Sequence, residues 1–119
     1  MNFAVPINNV PPAAPVARPT EIESPEHRAE VIGSEGVVVI KFSAVWCGPC
    51  KKIEGAYHAL GIEFGDVRFA EEDIDEEFDG LPEEIKSVPT FFYFKNGEFL
   101  ESTKGANIQV VKDTITKHI

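Results

Sequence analysis

Cys47 and Cys50, in Trp46-Cys47-Gly48-Pro49-Cys50, are the only two cysteines of the chain and are separated by two residues. Sulfurs at this spacing can close on each other with little backbone movement. The apolar run Val37-Val38-Val39-Ile40-Lys41-Phe42 precedes them, so the dithiol lies at the end of a strand. A helix starting at Cys47 would aim its unpaired N–H groups and positive dipole end at that sulfur, favouring the thiolate. The pair is suited to disulfide exchange, and metal binding is the other use of such a pair. The three histidines, His27, His58 and His118, do not have the spacing of a zinc site. His58 falls on the following helix well away from Cys47, and the other two lie near the ends of the fold.

Composition limits what else the molecule can be. A chain of 119 residues, 43% hydrophobic and 10% aromatic, has the size and apolar content of one domain with one core. With no further cysteine it is not a disulfide-stapled secreted scaffold, which directs the reading to a cytoplasmic redox role. No apolar span is long enough to cross a membrane. A net charge of −9 argues against nucleic acid and anionic membranes as partners. Seven of the nine residues from Glu71 to Asp79 are acidic. They read as a solvated strand end and the first turn of a helix, because the run lacks the glycine and alternating ligands of a calcium loop.

The elements that must position the dithiol are legible along the chain. Six of the nine prolines fall in the first 25 residues, with one basic residue, Arg18, and neither a signal-peptide nor a basic transit pattern. Residues 1–20 are expected to be a flexible, partly polyproline-like extension, and residues 21–119 the folded domain. The extension contains one PxxP match, Pro12-Ala13-Ala14-Pro15. Ser24-Pro25-Glu26 opens a short helix ended by Gly33 and Gly36. Val37 to Phe42, apolar on both faces except at Lys41, reads as a central strand covered by helices on each side. From Cys47, Ile53, Tyr57 and Leu60 recur at helical spacing, and Gly61 is expected to end that helix. Asp66 to Glu72 is a strand, Glu76 to Lys86 irregular or short helix, and Thr90 to Lys95 a strand. Asn96-Gly97 turns the chain into an antiparallel strand, Phe99 to Thr103. Asn107 caps a last helix with Ile108, Val111 and Ile115 inward. The order predicts an α/β fold: a mixed sheet of four to five strands with helices on both faces and the dithiol at the carboxyl end of a central strand.

Trp46-Cys47-Gly48-Pro49-Cys50-Lys51, the lead-in Phe42-Ser43-Ala44, Val88-Pro89-Thr90, Lys95-Asn96-Gly97 and Gly105-Ala106-Asn107, in this order, resemble the thioredoxin family, most closely its eukaryotic type. The resemblance covers roughly residues 20 to 119 and implies the thioredoxin fold and protein-disulfide reduction. It implies that Cys47 is the exposed nucleophile, that Cys50 resolves the mixed disulfide, and that Trp46 shapes the exposed rim. Gly48-Pro49 is the dipeptide associated with reducing members. The Val88–Pro89 peptide is expected to be cis, with Val88 binding an extended substrate segment beside Thr90, and Gly105 and Ala106 lining an apolar groove. The implied partners are a flavin-dependent thioredoxin reductase, through which NADPH is used indirectly, and disulfide-containing proteins. The resemblance also implies a monomer with no bound cofactor beyond its redox-active disulfide. A cluster held by two chains' dithiols is disfavoured in the family by the proline corresponding to Pro89.

Two positions depart from the family pattern together. Lys41 stands where a buried aspartate is usual, and Glu71 where bacterial members often carry lysine. The expected compensation is an ion pair of Lys41 with Glu71 or Glu72, the alternative being that Lys41 snorkels to water; a lysine left charged near the sulfurs would instead favour the thiolates and make the protein more oxidising. Gly55 replaces a proline that commonly kinks the active-site helix, so its far end is expected to follow a different path or to be more mobile. The leading function is a general protein-disulfide reductase serving cell redox homeostasis in the cytoplasm, with an organelle as the alternative compartment. A specialised binding module with a redox-switched dithiol is the second class, and a disulfide oxidase or isomerase the third.

Overall fold

The computed structural model describes residues 18–75, 85 and 87–119. Its elements are β1 (Thr20–Glu21), α1 (Pro25–Ile32), β2 (Val37–Ser43), α2 (Gly48–Glu63), β3 (Arg68–Asp73), β4 (Thr90–Lys95), β5 (Glu98–Lys104) and α3 (Ile108–His118). They form one five-stranded sheet in the order β1-β3-β2-β4-β5. β1 and β2 run parallel to β3, and β4 runs antiparallel to both β2 and β5. The mixed sheet and its flanking helices are those expected, with β2 at the centre.

Alternation along the strands divides the interior into two cores. Val37 and Val39 of β2, Phe69 of β3 and Phe91 and Tyr93 of β4 pack with Ile53, Tyr57 and Leu60 of α2 and with Val111 and Ile115 of α3. On the opposite face Val38, Ile40 and Phe42 pack with Ala70, Phe92 and Phe94 and with Val31 of α1. A strand lined on both sides has no polar face to spare, which is why β2 reads as a nearly continuous apolar run.

Local chemistry sets most of the element ends. The Ser24 hydroxyl accepts the His27 N–H at 3.0 Å, and Pro25 occupies the first turn of α1. Asn107 accepts the N–H groups of Gln109 and Val110 at the start of α3. Asn96 and Gly97 both have positive φ, 51° and 88°, as a two-residue hairpin between right-twisted strands requires.

Two element assignments need correction. β1 was not expected: Thr20, placed in the extension, pairs with Ala70 at the sheet edge, one residue before the expected domain boundary. A two-residue strand has no periodicity to detect. The active-site helix does not end at Gly61 but continues to Glu63, where Phe64 leaves the helix and its N–H closes on the Leu60 carbonyl at 2.8 Å. Phe64 packs on the core of that face, so tertiary burial outweighs the modest helical cost of Gly61. Gly55 sits within this one unbroken helix. The residues expected to be irregular or short helix, 76–86, lie outside the described residues except for Ile85.

Both tyrosines are fully buried. The Tyr57 hydroxyl donates to the Ala70 carbonyl at 2.8 Å, with the Val39 carbonyl at 3.2 Å, and Tyr93 bonds the Thr103 hydroxyl at 2.8 Å. Burial raises the Tyr57 pKa well above its ordinary value, and the charge of Glu71 adds to this. Burial also pushes Tyr93 up to about 12, against the hydrogen bonds of Thr103 and Thr114. A phenol that ionises near pH 10 when unfolded and higher when folded contributes its full share of stability below pH 10. That share is lost as pH rises through the folded value. Above pH 10 stability is therefore expected to fall by about 1.4 kcal/mol per pH unit for each tyrosine. Urea denaturation between pH 9 and 11.5 checks this against tyrosinate absorbance, which should rise with unfolding rather than before it.

Candidate active site

β2 ends at Ser43, and the next turn delivers Cys47 to the N-terminus of α2. The Cys47 N–H closes that turn on the Ala44 carbonyl at 3.1 Å. Cys47 is itself the N-cap, its Sγ accepting the Cys50 N–H at 3.1 Å, and Pro49 lies in the first turn where no donor is needed. Cys47 and Cys50 are joined in a disulfide with Cα atoms 5.2 Å apart, inside the usual span for such a bond. The sulfur that caps the helix is the one the dipole would stabilise as a thiolate.

The facing wall comes from the start of β4. The Val88–Pro89 peptide is cis, and the Val88 carbonyl oxygen lies 3.7 Å from Cys47 Sγ. Two bonds hold this loop. The Thr90 hydroxyl donates to the Ser87 carbonyl at 2.7 Å, and the Gly105 N–H donates to the Pro89 carbonyl at 2.9 Å. Gly105 has a φ of 94°, a conformation that disfavours any side chain, so the strand end can turn against Pro89 only with glycine there. Gly105 and Ala106 are exposed beside the loop.

The thioredoxin family model matches residues 18–118. Thioredoxin of Oryctolagus cuniculus is 43% identical over 100 residues, covering 82% of this chain and 95% of that protein. Thioredoxin of Gallus gallus is 44% identical over 82 residues, covering 68% and 78%. The chain belongs to the thioredoxin family. Solved thioredoxins superpose on it: that of Trypanosoma brucei brucei with a TM-score of 0.79 at 27% identity, covering 91% of this chain and 96% of that one, and that of Plasmodium falciparum with 0.77 at 31%, covering 84% and 99%. Like other thioredoxins, it is a thiol-disulfide oxidoreductase that reduces protein disulfides and works through a redox-active disulfide rather than a prosthetic group.

Within this thioredoxin site, Trp46 is 65% exposed and Val45 equally open, so the tryptophan stands at the rim and not in the core. Cys47 differs from expectation. It was expected to be exposed, but like Cys50 it is only 3% exposed, because the closed disulfide turns its sulfur toward Cys50 and the Val88 loop. Both cysteines pack with Ala44, and Val88 rests against them.

The exchanged charges meet. Lys41 and Glu71 are register partners on β2 and β3, and Lys41 Nζ lies 3.9 Å from Glu71 Oε1 and 5.2 Å from the centre of the Tyr57 ring. Lys41 is 2% exposed, so an opposite charge and an aromatic face are what make its burial tolerable. Glu72 is not its partner. It points to the other face of the sheet, where Arg28 of α1 binds it with Nε to Oε1 at 2.8 Å and a second contact at 2.5 Å. That bidentate pair holds the Arg28 guanidinium above its ordinary pKa.

A cleft of about 500 Å3 opens beside Cys50, lined among others by Lys41, Ser43, Lys51, Glu54 and Glu71; Cys47 and Val88 do not border it. The two sulfurs are thus served from different sides, Cys47 from the Val88 loop and Cys50 from a charged cleft. Arg28 and Glu54 stand in no motif of the sequence. The four-residue spacing of Glu54 and His58 was the available signal for one helical face, but nothing local linked that face to Glu71.

Proposed function

We propose that this chain is a general protein-disulfide reductase in which Cys47 is the attacking thiolate and Cys50 the resolving one. The observation that carries the assignment is the N-cap position of Cys47, its sulfur facing both the Cys50 N–H and the Val88 carbonyl. Cys47 attacks one sulfur of the target disulfide, forming a mixed disulfide and expelling the other sulfur as a thiolate. Cys50 then attacks Cys47 Sγ and expels the second substrate thiolate, so two electrons pass to the substrate and the Cys47–Cys50 bond forms. Resolution is fast because Cys50 is already held one turn along the helix. Trp46, Gly48 and Pro49 shape the rim over which the substrate arrives. Val88 to Thr90 bind an extended segment as an added strand, and Gly105 and Ala106 line the neighbouring groove. A flavin-dependent thioredoxin reductase restores the dithiol with NADPH. The protein acts as a monomer in the cytoplasm. Among the described residues no helix is long and apolar enough to cross a membrane.

Lys41, placed against Glu71, acts as half of a neutral pair, so the dithiol keeps a reducing potential. Insulin reduction with NADPH and thioredoxin reductase, together with the equilibrium potential of the pair, tests this. Wild type is expected near the ~−270 mV typical of thioredoxin. The double variant Lys41→Met/Glu71→Gln should stay within about 30 mV of it, while Lys41→Met alone should be more reducing because an unpaired carboxylate disfavours nearby thiolates. Absence of turnover, or a much more oxidising wild type, would overturn the reading in favour of a binding module switched by its dithiol.

A further inference from the structure

Of the three histidines, two have ring nitrogens engaged by the fold. His27 Nδ1 accepts the Glu23 N–H at 3.1 Å, and His118 Nε2 bonds Glu101 Oε2 at 2.6 Å. His58 differs. Its Nε2 is buried and has no hydrogen-bond partner among the described residues, although the side chain as a whole keeps 27% exposure. Glu71 Oε2 faces it at 3.6 Å, beyond hydrogen-bonding distance. A buried polar atom left in this state calls for an explanation such as an ion or an ordered water.

Glu54 supplies a third donor. It lies one turn before His58 on α2, and one ligand atom from each of Glu54, His58 and Glu71 falls within 4.8 Å of the others. A tetrahedral zinc ion with bonds of roughly 2.0–2.2 Å holds its ligand atoms about 3.3–3.6 Å apart. The His58–Glu71 separation, too long for a hydrogen bond, is close to that edge, and the exposed Glu54 side chain can swing in to complete a third corner. Lys41 does not occupy the same oxygen. It faces Oε1 of Glu71 while His58 faces Oε2, so Lys41 can serve as the outer partner that ligating carboxylates commonly have.

We propose that Glu54, His58 and Glu71 form a binding site for a zinc-like divalent cation, with water in the fourth position, next to the cleft beside Cys50 that Glu54 and Glu71 help to line. Two anionic oxygens and one neutral imidazole suit a borderline cation of this kind better than calcium or magnesium, which prefer oxygen alone. The site is independent of the dithiol and can be tested with the disulfide closed, when neither cysteine offers a thiolate.

The test is a zinc titration of untagged, full-length, oxidised protein by calorimetry and by competition with a chromophoric chelator. One equivalent should bind and shift the His58 ring resonances but not those of His27 or His118. His58→Ala and Glu54→Gln should each weaken binding roughly tenfold or more, whereas His27→Ala should bind as wild type. Glu54 is exposed, so its replacement leaves the fold intact, and circular dichroism checks both variants. No saturable binding, or binding that survives both substitutions, would overturn the site without bearing on disulfide reduction.

Discussion

Replacing Cys47 with serine is expected to reduce insulin reduction to the rate of the bare reductant, a loss of more than about a thousandfold. Serine keeps the fold. It is among the preferred N-cap residues, and its hydroxyl can accept the Cys50 N–H that Cys47 Sγ accepts at 3.1 Å. What it cannot do is ionise near neutral pH or form a bond to sulfur that a second thiol then cleaves. The complementary variant, Cys50→Ser, should fail differently. It retains the attacking sulfur at the helix end, so one equivalent of substrate should be captured as a stable mixed disulfide on Cys47, visible by mass spectrometry and released by dithiothreitol. If Cys47→Ser turned over while Cys50→Ser accumulated no adduct, the roles assigned to the two sulfurs would be wrong. Circular dichroism and denaturant midpoints establish that neither variant has lost its fold.

The largest expected loss of stability lies on the other face of the sheet. Arg28→Met removes the cation from a carboxylate that is only 1% exposed, leaving Glu72 buried and uncompensated. Breaking such a pair from one side costs about 3–5 kcal/mol, roughly a fifth or more of what holds a typical small domain together. A fall in Tm of more than about 10 °C should follow. The cost belongs to the stranded charge rather than to the lost attraction, so Arg28→Met/Glu72→Leu should recover most of it. A double variant no more stable than Arg28→Met would mean that Arg28 is needed for more than neutralising Glu72. Urea midpoints of the two single variants and the double variant form the cycle that decides between them.

Much of this was legible along the chain because it is local. Cysteines separated by two residues, a proline in the first turn and an apolar run before them determine a dithiol at a strand-to-helix junction. Ser24 and Asn107 as helix caps and Asn96-Gly97 as a hairpin follow from side-chain and backbone preferences within four residues. The 3.6-residue recurrence of Ile53, Tyr57 and Leu60 determined which side of α2 faces the sheet.

The partners of the charged residues were not legible in this way. Lys41 had two adjacent acids to choose from, and Glu71 and Glu72 are alike in composition. Parallel register and the two-residue alternation of a strand put Glu71 on the Lys41 side and Glu72 on the Arg28 side. A shift of one residue would have exchanged them. The edge pairing of Thr20 and the approach of His58 to Glu71 likewise depend on how distant segments meet, and the burial of Cys47 needs the Val88 loop as well as the closed disulfide. Composition and spacing act within a few residues and determined the chemistry this protein carries. Register, burial and the meeting of α2 with β3 join residues distant in the chain, and only collapse around a shared core decides them.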